Sequence, residues 1–155
     1  MAKQGLHLQG DRALQKALRK LGDKAARKVS RSAVSAAATP VAKAARRNAP
    51  KESGLLRKSI GRRVRTYTER GTVIALVGPR RNFSGEHEGE RRVPANYAHL
   101  VENGHLAPDG SFVPPKPFLR PALDASKGEA MNKLRQKTAE GIEREAKKAS
   151  KGGGR

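Results

Sequence analysis

Two neighbouring stretches of the sequence decide the fold: Asn96-Tyr97-Ala98-His99-Leu100-Val101-Glu102-Asn103-Gly104 and Pro114-Pro115-Lys116-Pro117-Phe118-Leu119-Arg120-Pro121-Ala122. The first predicts a short helix that ends at Gly104, because glycine adopts the left-handed conformation without a Cβ clash. The second predicts a rigid, extended approach in which prolines fix φ, with Phe118 and Leu119 as an apolar anchor. Pro121 is well placed to open a long final helix. Neither stretch carries a catalytic group, so both indicate a protein that works by fitting against partners.

Helical periodicity extends on both sides of these stretches. Asp11 is a suitable N-cap for a long N-terminal helix, which ends near Asn48 and which Pro40 should kink or restart. Apolar residues recur on one face of this helix at spacings of three or four: Leu14, Leu18, Leu21, Ala25, Val29, Ala33, Ala37, Val41 and Ala44. The opposite face is basic and carries Arg12, Lys16, Arg19, Lys20, Lys24, Arg27, Lys28 and Arg31. That face could be histone-like, simply solvated, or matched to an acidic neighbour. A final helix is predicted from about Pro121 to Lys148.

Between the helices the pattern favours strands. Residues 60–67 and 72–78 predict two strands, and the apolar run from Val73 to Val77 in the second predicts a buried, central strand. In the first strand, Arg63 and Arg65 share one face, while Arg62 lies on the other with Val64. A further extended segment is predicted at residues 5–10. The expected fold class is therefore α+β, with long N-terminal and C-terminal helices packed on a small, mostly antiparallel sheet.

Two segments lack this regularity. Residues 79–92 predict a charged loop that begins with Arg80 and Arg81 and carries an exposed acidic middle. In residues 104–117, Asp109 and Gly110 predict a turn, followed by a short strand at 111–113. The basic, glycine-rich tail at 149–155 predicts a flexible end to a single domain spanning residues 1–155.

Composition limits the classes of function. Lysine and arginine total 34 against 14 aspartate and glutamate residues, so the formal net charge is +20. A charge of this size attracts polyanions or acidic protein surfaces and destabilises a compact monomer. Only 3% of residues are aromatic, and much of the apolar content is alanine. We therefore expect a thin core that gains stability from neighbouring subunits. Cysteine is absent, and no run of about 18 apolar residues could span a membrane, which favours assembly in the cytoplasm.

The usual signatures of catalysis and cofactor binding are missing. His99, Glu102 and His105 would spread over about 300° of a helix, so they do not predict a shared metal site. Glu86, His87 and Glu88 have no neighbouring nucleophile or phosphate loop, and a charged, exposed loop is the better interpretation. We expect neither an enzyme nor a bound cofactor or metal. Contact with DNA would run through phosphates and be non-specific, because aromatic residues for base stacking are few.

The order of these elements resembles that of the small tail-completion or neck proteins of long-tailed bacteriophages. The motifs that carry the resemblance follow a long N-terminal helix and read Pro50-x-x-x-Gly54-x-Leu56-x-x-Ser59-Ile60, Tyr97-Ala98-x-x-Val101-Glu102-x-Gly104 and Pro117-Phe118-Leu119-x-Pro121-Ala122. Together the elements span roughly residues 5–148. The charged insert at 79–92 has no counterpart in this pattern.

The resemblance implies a structural virion protein at the neck or proximal tail that completes the tail and enables head–tail joining. It also implies a homo-oligomeric ring, with six copies as the expectation from tail symmetry, and contacts with other neck and tail proteins. The candidate residues for subunit or partner contacts are Arg62, Arg63, Arg65, Arg80, Arg81, Tyr97, Glu102, Phe118 and Leu119. For Glu102 an intersubunit ion pair is favoured over a helix-cap role. The alternative function is a histone-like, non-specific nucleic-acid-binding protein.

Overall fold

The computed structural model describes residues 12–67, 69 and 71–152. The fold is α+β, as predicted, with long N-terminal and C-terminal helices and small antiparallel sheets. In chain order the elements are α1 (Arg12–Lys20), α2 (Asp23–Asn48), α3 (Leu55–Ser59), β1 (Ile60–Tyr67), β2 (Thr72–Pro79), β3 (Gly85–His87), β4 (Glu90–Arg92), α4 (Pro94–Asn103), β5 (His105–Leu106), β6 (Phe112–Val113) and α5 (Leu119–Gly152). The predicted extended segment at 5–10 and the cap at Asp11 lie outside the described residues.

The N-terminal helical region is interrupted at a different place from the one predicted. α1 ends at Lys20, and α2 begins at Asp23 and continues through Pro40 without a break. The interruption falls at Leu21 and Gly22, where glycine carries a high entropic cost in a helix. Of the two predicted alternatives, a restart at Pro40 is therefore wrong, and a kink there stays a prediction.

β1 and β2 lie where the alternating and β-branched patterns place them. They are neighbours in a two-stranded sheet, so β2 has no second strand beside it among the described residues. Its residues are accordingly half-buried or exposed, and Leu76 is 47% exposed. The prediction of a buried central strand at 73–77 is wrong, because a continuous apolar run does not reveal how many strands surround it.

The segment predicted as a charged loop contains a tight hairpin. β3 and β4 pair antiparallel with His87 opposite Glu90, which leaves Glu88 and Gly89 as a two-residue turn. Both turn residues have positive φ, 54° and 77°, as the favoured hairpin turns require. Glu-Gly is weaker as a sequence signal than Asn-Gly or Asp-Gly, so this hairpin was missed. The turn at Asp109 and Gly110 is confirmed, and it joins β5 to β6.

The chain falls into two compact units. Of the described residues, the first comprises those within Met1–Ala38, Val64–Ala75 and Lys127–Arg155, and the second comprises those within Thr39–Arg63 and Leu76–Ser126. The buried apolar residues of the described chain are mostly alanines, as composition predicted. Because alanine buries little area, close helix contacts and a few large side chains must supply most of the packing.

In the first unit, the packing depends on a close approach between α2 and α5. Val29 of α2 is fully buried, and Gly141 of α5 lies against it. A Cβ atom added at Gly141 would lie 2.7 Å from Cγ1 of Val29. Ala130 and Leu134 extend the buried face of α5. Glycine is needed at position 141 because a larger residue would clash with Val29.

In the second unit, one aromatic side chain dominates the core. Phe118 is fully buried and is among the largest fully buried side chains of the described chain. Its cluster also contains Ala44, Ala45, Ala49, Leu56, Ile60, Ala98 and Ala122. Tyr97 and Leu119 are partly buried against the same cluster. Phe118 thus anchors the beginning of α5, as the sequence indicated.

Candidate functional site

Glu102, near the end of α4, caps the beginning of α5. Its Oε2 atom accepts hydrogen bonds from the backbone amides of Phe118 at 2.7 Å and Leu119 at 2.9 Å. Its Oε1 atom accepts one from the amide of Arg120 at 3.0 Å. The next residue is Pro121, which has no amide hydrogen. One carboxylate and one proline therefore account for the donors of the first turn, and the negative charge lies at the favourable end of the helix dipole.

Gly104 ends α4 in a conformation that almost only glycine adopts. Its φ is 75° and its ψ is 167°, outside the left-handed helical region that the sequence predicted. A Cβ atom here would lie 2.8 Å from the carbonyl oxygen of Val113. The amide of Lys116 then donates to the carbonyl of Val101 at 2.8 Å, which leads the chain back to Glu102. The turn after Gly104 thus places the first turn of α5 within reach of the capping carboxylate.

Four of the predicted interface residues have their contacts within the second unit. Glu102 is 8% exposed and Phe118 is fully buried, while Tyr97 and Leu119 are partly buried against the core. The geometry gives Glu102 the helix-cap role, the less favoured of the two alternatives. The five arginines of the predicted interface set are exposed: Arg62, Arg63, Arg65, Arg80 and Arg81.

A cationic cleft in the second unit brings two of those arginines together. It has a volume of about 590 Å³, and its lining residues are Arg46, Gly54, Arg57, Lys58, Ile60, Gly61, Arg62 and Arg80. Arg62 and Arg80 belong to the predicted set, whereas Arg63, Arg65 and Arg81 do not line it. Arg46, Arg57 and Lys58 were missed, because they come from two helices and no motif links them.

Two guanidinium groups in this cleft are held by the backbone between α3 and β1. Arg46 donates from Nε and Nη2 to the carbonyl of Ile60, at 3.0 and 2.9 Å. Arg80 donates from Nε to the carbonyl of Ser59 at 3.3 Å and from Nη2 to that of Lys58 at 3.2 Å. Arg80 also lies over the ring of Phe83, 5.3 Å from its centroid. Three consecutive carbonyls thus fix two positive charges, and each guanidinium retains donors for a ligand.

The β5–β6 hairpin presents an exposed apolar pair. Leu106 and Phe112 lie opposite each other in the register of the two strands. Leu106 is 71% exposed and Phe112 is 65% exposed. A large cross-strand pair left in water is a typical feature of a surface that another protein covers.

Local hydrogen bonds lower the pKa of surface carboxyl groups in the described chain. The Ser111 hydroxyl, and then its amide, lowers the pKa of the exposed Asp109, while hydrogen bonds from Lys137 and Gln136 lower the pKa of Glu140 on α5. These hydrogen bonds are local surface contacts. Within the described ranges, no three histidine, aspartate or glutamate side chains are grouped as a metal site would require.

The ring nitrogens Nδ1 of His87 and His105 are buried and have no hydrogen-bond partner in the described structure. The two residues belong to different hairpins, β3–β4 and β5–β6.

No helix in the part of the chain that the structure describes is both long and apolar enough to cross a membrane.

The comparison with protein families agrees with the resemblance seen in the motifs. The family model described as "Bacteriophage HK97-gp10, putative tail-component" matches residues 12–104, more than half of the chain. The match includes all the residues that line the cationic cleft, as well as Glu102, and it ends before Phe118. The chain matches no curated protein and no solved structure. The match over residues 12–104 shows that the chain belongs to the HK97-gp10-like family of bacteriophage tail components.

Proposed function

We propose that this tail component acts at the neck or the proximal end of the tail, where it completes the tail and allows head and tail to join. Family membership carries the proposal, because it makes the protein a component of the tail. The role is structural rather than catalytic. Assembly takes place in the cytoplasm of the host bacterium, and the protein remains in the virion.

The exposed pair Leu106 and Phe112 supports contact with another protein at this position. An aromatic and an aliphatic side chain side by side supply the apolar anchor around which protein interfaces are built. We propose that neighbouring neck or tail proteins, or a second copy of this chain, cover the pair. Exposed Arg63, Arg65 and Arg81 add charge for further subunit or partner contacts.

The copies are proposed to form a closed ring. A head-to-tail interface that closes by rotation produces a ring, and tail symmetry leads us to expect six copies. The high net charge would oppose association unless acidic partner surfaces or ions compensate it. The mass of the purified protein in solution, with and without its neck partners, tests the ring directly.

Deletion of the gene from the phage tests the joining role. The expected result is DNA-filled heads and separate tails, seen by electron microscopy of lysates, with joining restored when the wild-type gene is supplied. Supplying a Leu106→Ala, Phe112→Ala double variant should not restore joining. A Pro108→Ala variant, altered at an exposed position of the same hairpin, should restore it. Normal infectious particles from the deletion strain would refute the placement at the neck.

A histone-like, nucleic-acid-binding role is the second candidate, and the net charge of +20 favours it. Such a protein would act on DNA rather than on the head–tail junction. Its deletion should leave heads with abnormal DNA content, while heads and tails still join. The same micrographs, together with the DNA content of purified heads, separate the two functions.

A further inference from the structure

The cationic cleft concentrates positive charge that its own lining does not neutralise. Five of its lining residues are basic, and none of the described lining residues is acidic. All five basic side chains are exposed. Like charges repel when they are held close together, so an arrangement of this kind is stabilised by an anionic partner.

The cleft is a built site rather than a random cluster of surface lysines. Arg46 and Arg80 are positioned by hydrogen bonds to the carbonyls of Lys58, Ser59 and Ile60, and neither is paired with a carboxylate in the described chain. A guanidinium that is already fixed loses little conformational entropy when it binds an oxyanion. Arg62, which donates to the hydroxyl of Thr39, adds a third positive charge to the lining, and Arg57 and Lys58 add two more.

We infer that the cationic cleft binds phosphate groups along the backbone of double-stranded DNA. The planar donors of arginine match phosphate oxygens, and duplex DNA presents about one negative charge per 1.7 Å of its axis. Among the described residues, no aromatic side chain lines the cleft, so it has no platform on which to stack single-stranded bases. It also lacks the exposed apolar anchor that a protein partner would require; that anchor lies on the β5–β6 hairpin. Binding of this kind is independent of sequence and does not depend on the proposed role at the neck.

Charge removal inside and outside the cleft provides the first test. Fluorescence anisotropy of a labelled duplex is measured with the full-length protein across a salt series. Replacing Arg57 and Lys58 with glutamine should make the negative slope of the log binding constant against log salt shallower by about 2. Each phosphate that is no longer neutralised reduces the magnitude of the slope by about 0.9. The matched control replaces Lys24 and Arg27 of α2, which removes the same charge from the predicted basic face. That control should change the slope by less than about 0.5.

A variant that leaves the charge unchanged provides the second test. A Cβ atom at Gly61 would lie 3.0 Å from Cγ and Cδ of Arg80, so in Gly61→Ala the flexible Arg80 side chain must shift by a few tenths of an ångström. We expect duplex binding about threefold weaker, because the shifted guanidinium no longer has the fixed geometry that matches a phosphate oxygen. Gly78→Ala, where a Cβ atom would meet nothing within 4 Å, should bind like the parent. If Gly61→Ala does not fold, as judged by circular dichroism, Arg80→Lys keeps the charge and should show the same weakening.

Three results would overturn the assignment. The first is an equal reduction of the salt dependence of duplex binding in the cleft variant and the α2 control, which would mean that DNA is attracted by the overall charge and not by the cleft. The second is duplex binding that neither Gly61→Ala nor Arg80→Lys changes. The third is an oligoglutamate peptide that binds as tightly as the duplex at the same salt and depends on the same side chains, which would make the cleft a site for acidic protein. Because these measurements use purified protein and DNA, they can fail while the deletion phenotype at the neck stands, and the reverse also holds.

Discussion

The carboxylate of Glu102 accepts a hydrogen bond from the backbone amide of Phe118 at 2.7 Å, so the end of α4 holds the beginning of α5. The same carboxylate accepts two more amides, and the side chain of Phe118 fills the core of the second unit. Polar capping and apolar anchoring thus meet at one residue. This arrangement gives a joint role to Glu102, near the end of α4, and to the segment Pro117-Phe118-Leu119 at the beginning of α5.

Removing the capping carboxylate should destabilise the protein measurably. Glu102→Ala leaves one buried and two partly buried amides without an acceptor, so we expect a loss of about 2–3 kcal/mol in the free energy of unfolding. Glu102→Gln retains one acceptor oxygen and should lose about 1 kcal/mol. Urea denaturation measures both. Glu52→Ala is the matched control, because that glutamate forms an exposed ion pair with Lys116 and should cost under about 1 kcal/mol. If Glu102→Ala and Glu52→Ala lowered the free energy of unfolding by equal amounts, the capping role of Glu102 would be contradicted.

Truncating the aromatic anchor should have a larger effect. Phe118→Ala removes a fully buried side chain and should cost about 3–5 kcal/mol through reduced burial and cavity formation. Pro117 is exposed, so Pro117→Ala should cost less, by loosening the approach to α5. Complete particles should fail to assemble with Phe118→Ala and should still assemble with Pro117→Ala. If Phe118→Ala denatures like the parent, Phe118 is not a buried anchor of α5.

Local patterns predicted the positions of α4, β1, β2 and the turn before β6 because each depends on near neighbours in the sequence. Tertiary context decided the rest of the fold. Helix α2 tolerates Pro40, which is buried inside it. Strand β2 is half-exposed because, among the residues that the structure describes, only β1 pairs with it. The β3–β4 hairpin was missed because Glu88 takes a positive φ that glutamate rarely adopts.

The candidate site could be predicted only in part. Phe118 as an anchor follows from its place beside prolines and before a helical pattern. The role of Glu102 does not, since the amides of residues 118–120 come within reach of its carboxylate only through the turn after Gly104. The cleft joins Arg46 with Arg80, and no periodicity connects residues so distant in sequence. Their meeting depends on the folded path of α2, α3 and β2.

The contact between Gly141 and Val29 predicts opposite effects for two similar substitutions in α5. Gly141→Ala places a Cβ atom 2.7 Å from Val29, and overpacking should cost about 1–3 kcal/mol. At Gly128 an added Cβ atom meets nothing within 4 Å. Gly128→Ala should therefore stabilise the helix by up to about 1 kcal/mol. Thermal unfolding of the two variants beside the parent provides the measurement, and stabilisation by both would show that the helices are not in close contact.

Salt should raise the melting temperature of the isolated protein. With a formal net charge of +20, repulsion among basic side chains opposes folding, and about 1 M salt shortens the screening length to about 3 Å. We expect a rise of several degrees between low and high sodium chloride, monitored by circular dichroism. A variant with Lys24 and Arg27 replaced by glutamine should show a smaller rise. A high melting temperature that does not depend on salt would indicate that repulsion contributes little.

Gly104 should tolerate substitution less well than another glycine with positive φ. Gly104→Ala forces alanine into a glycine-only conformation and places its Cβ atom 2.8 Å from the carbonyl oxygen of Val113. Gly110 has a φ of 83°, yet a Cβ atom there meets nothing within 4 Å. Gly110→Ala should therefore cost about 1–2 kcal/mol from backbone strain alone. Gly104→Ala should exceed it by at least about 1 kcal/mol, because backbone atoms cannot move aside as a flexible side chain can. Urea denaturation of the pair isolates the steric contribution, and equal losses would mean that the chain beyond Gly104 can shift without disturbing the cap on α5.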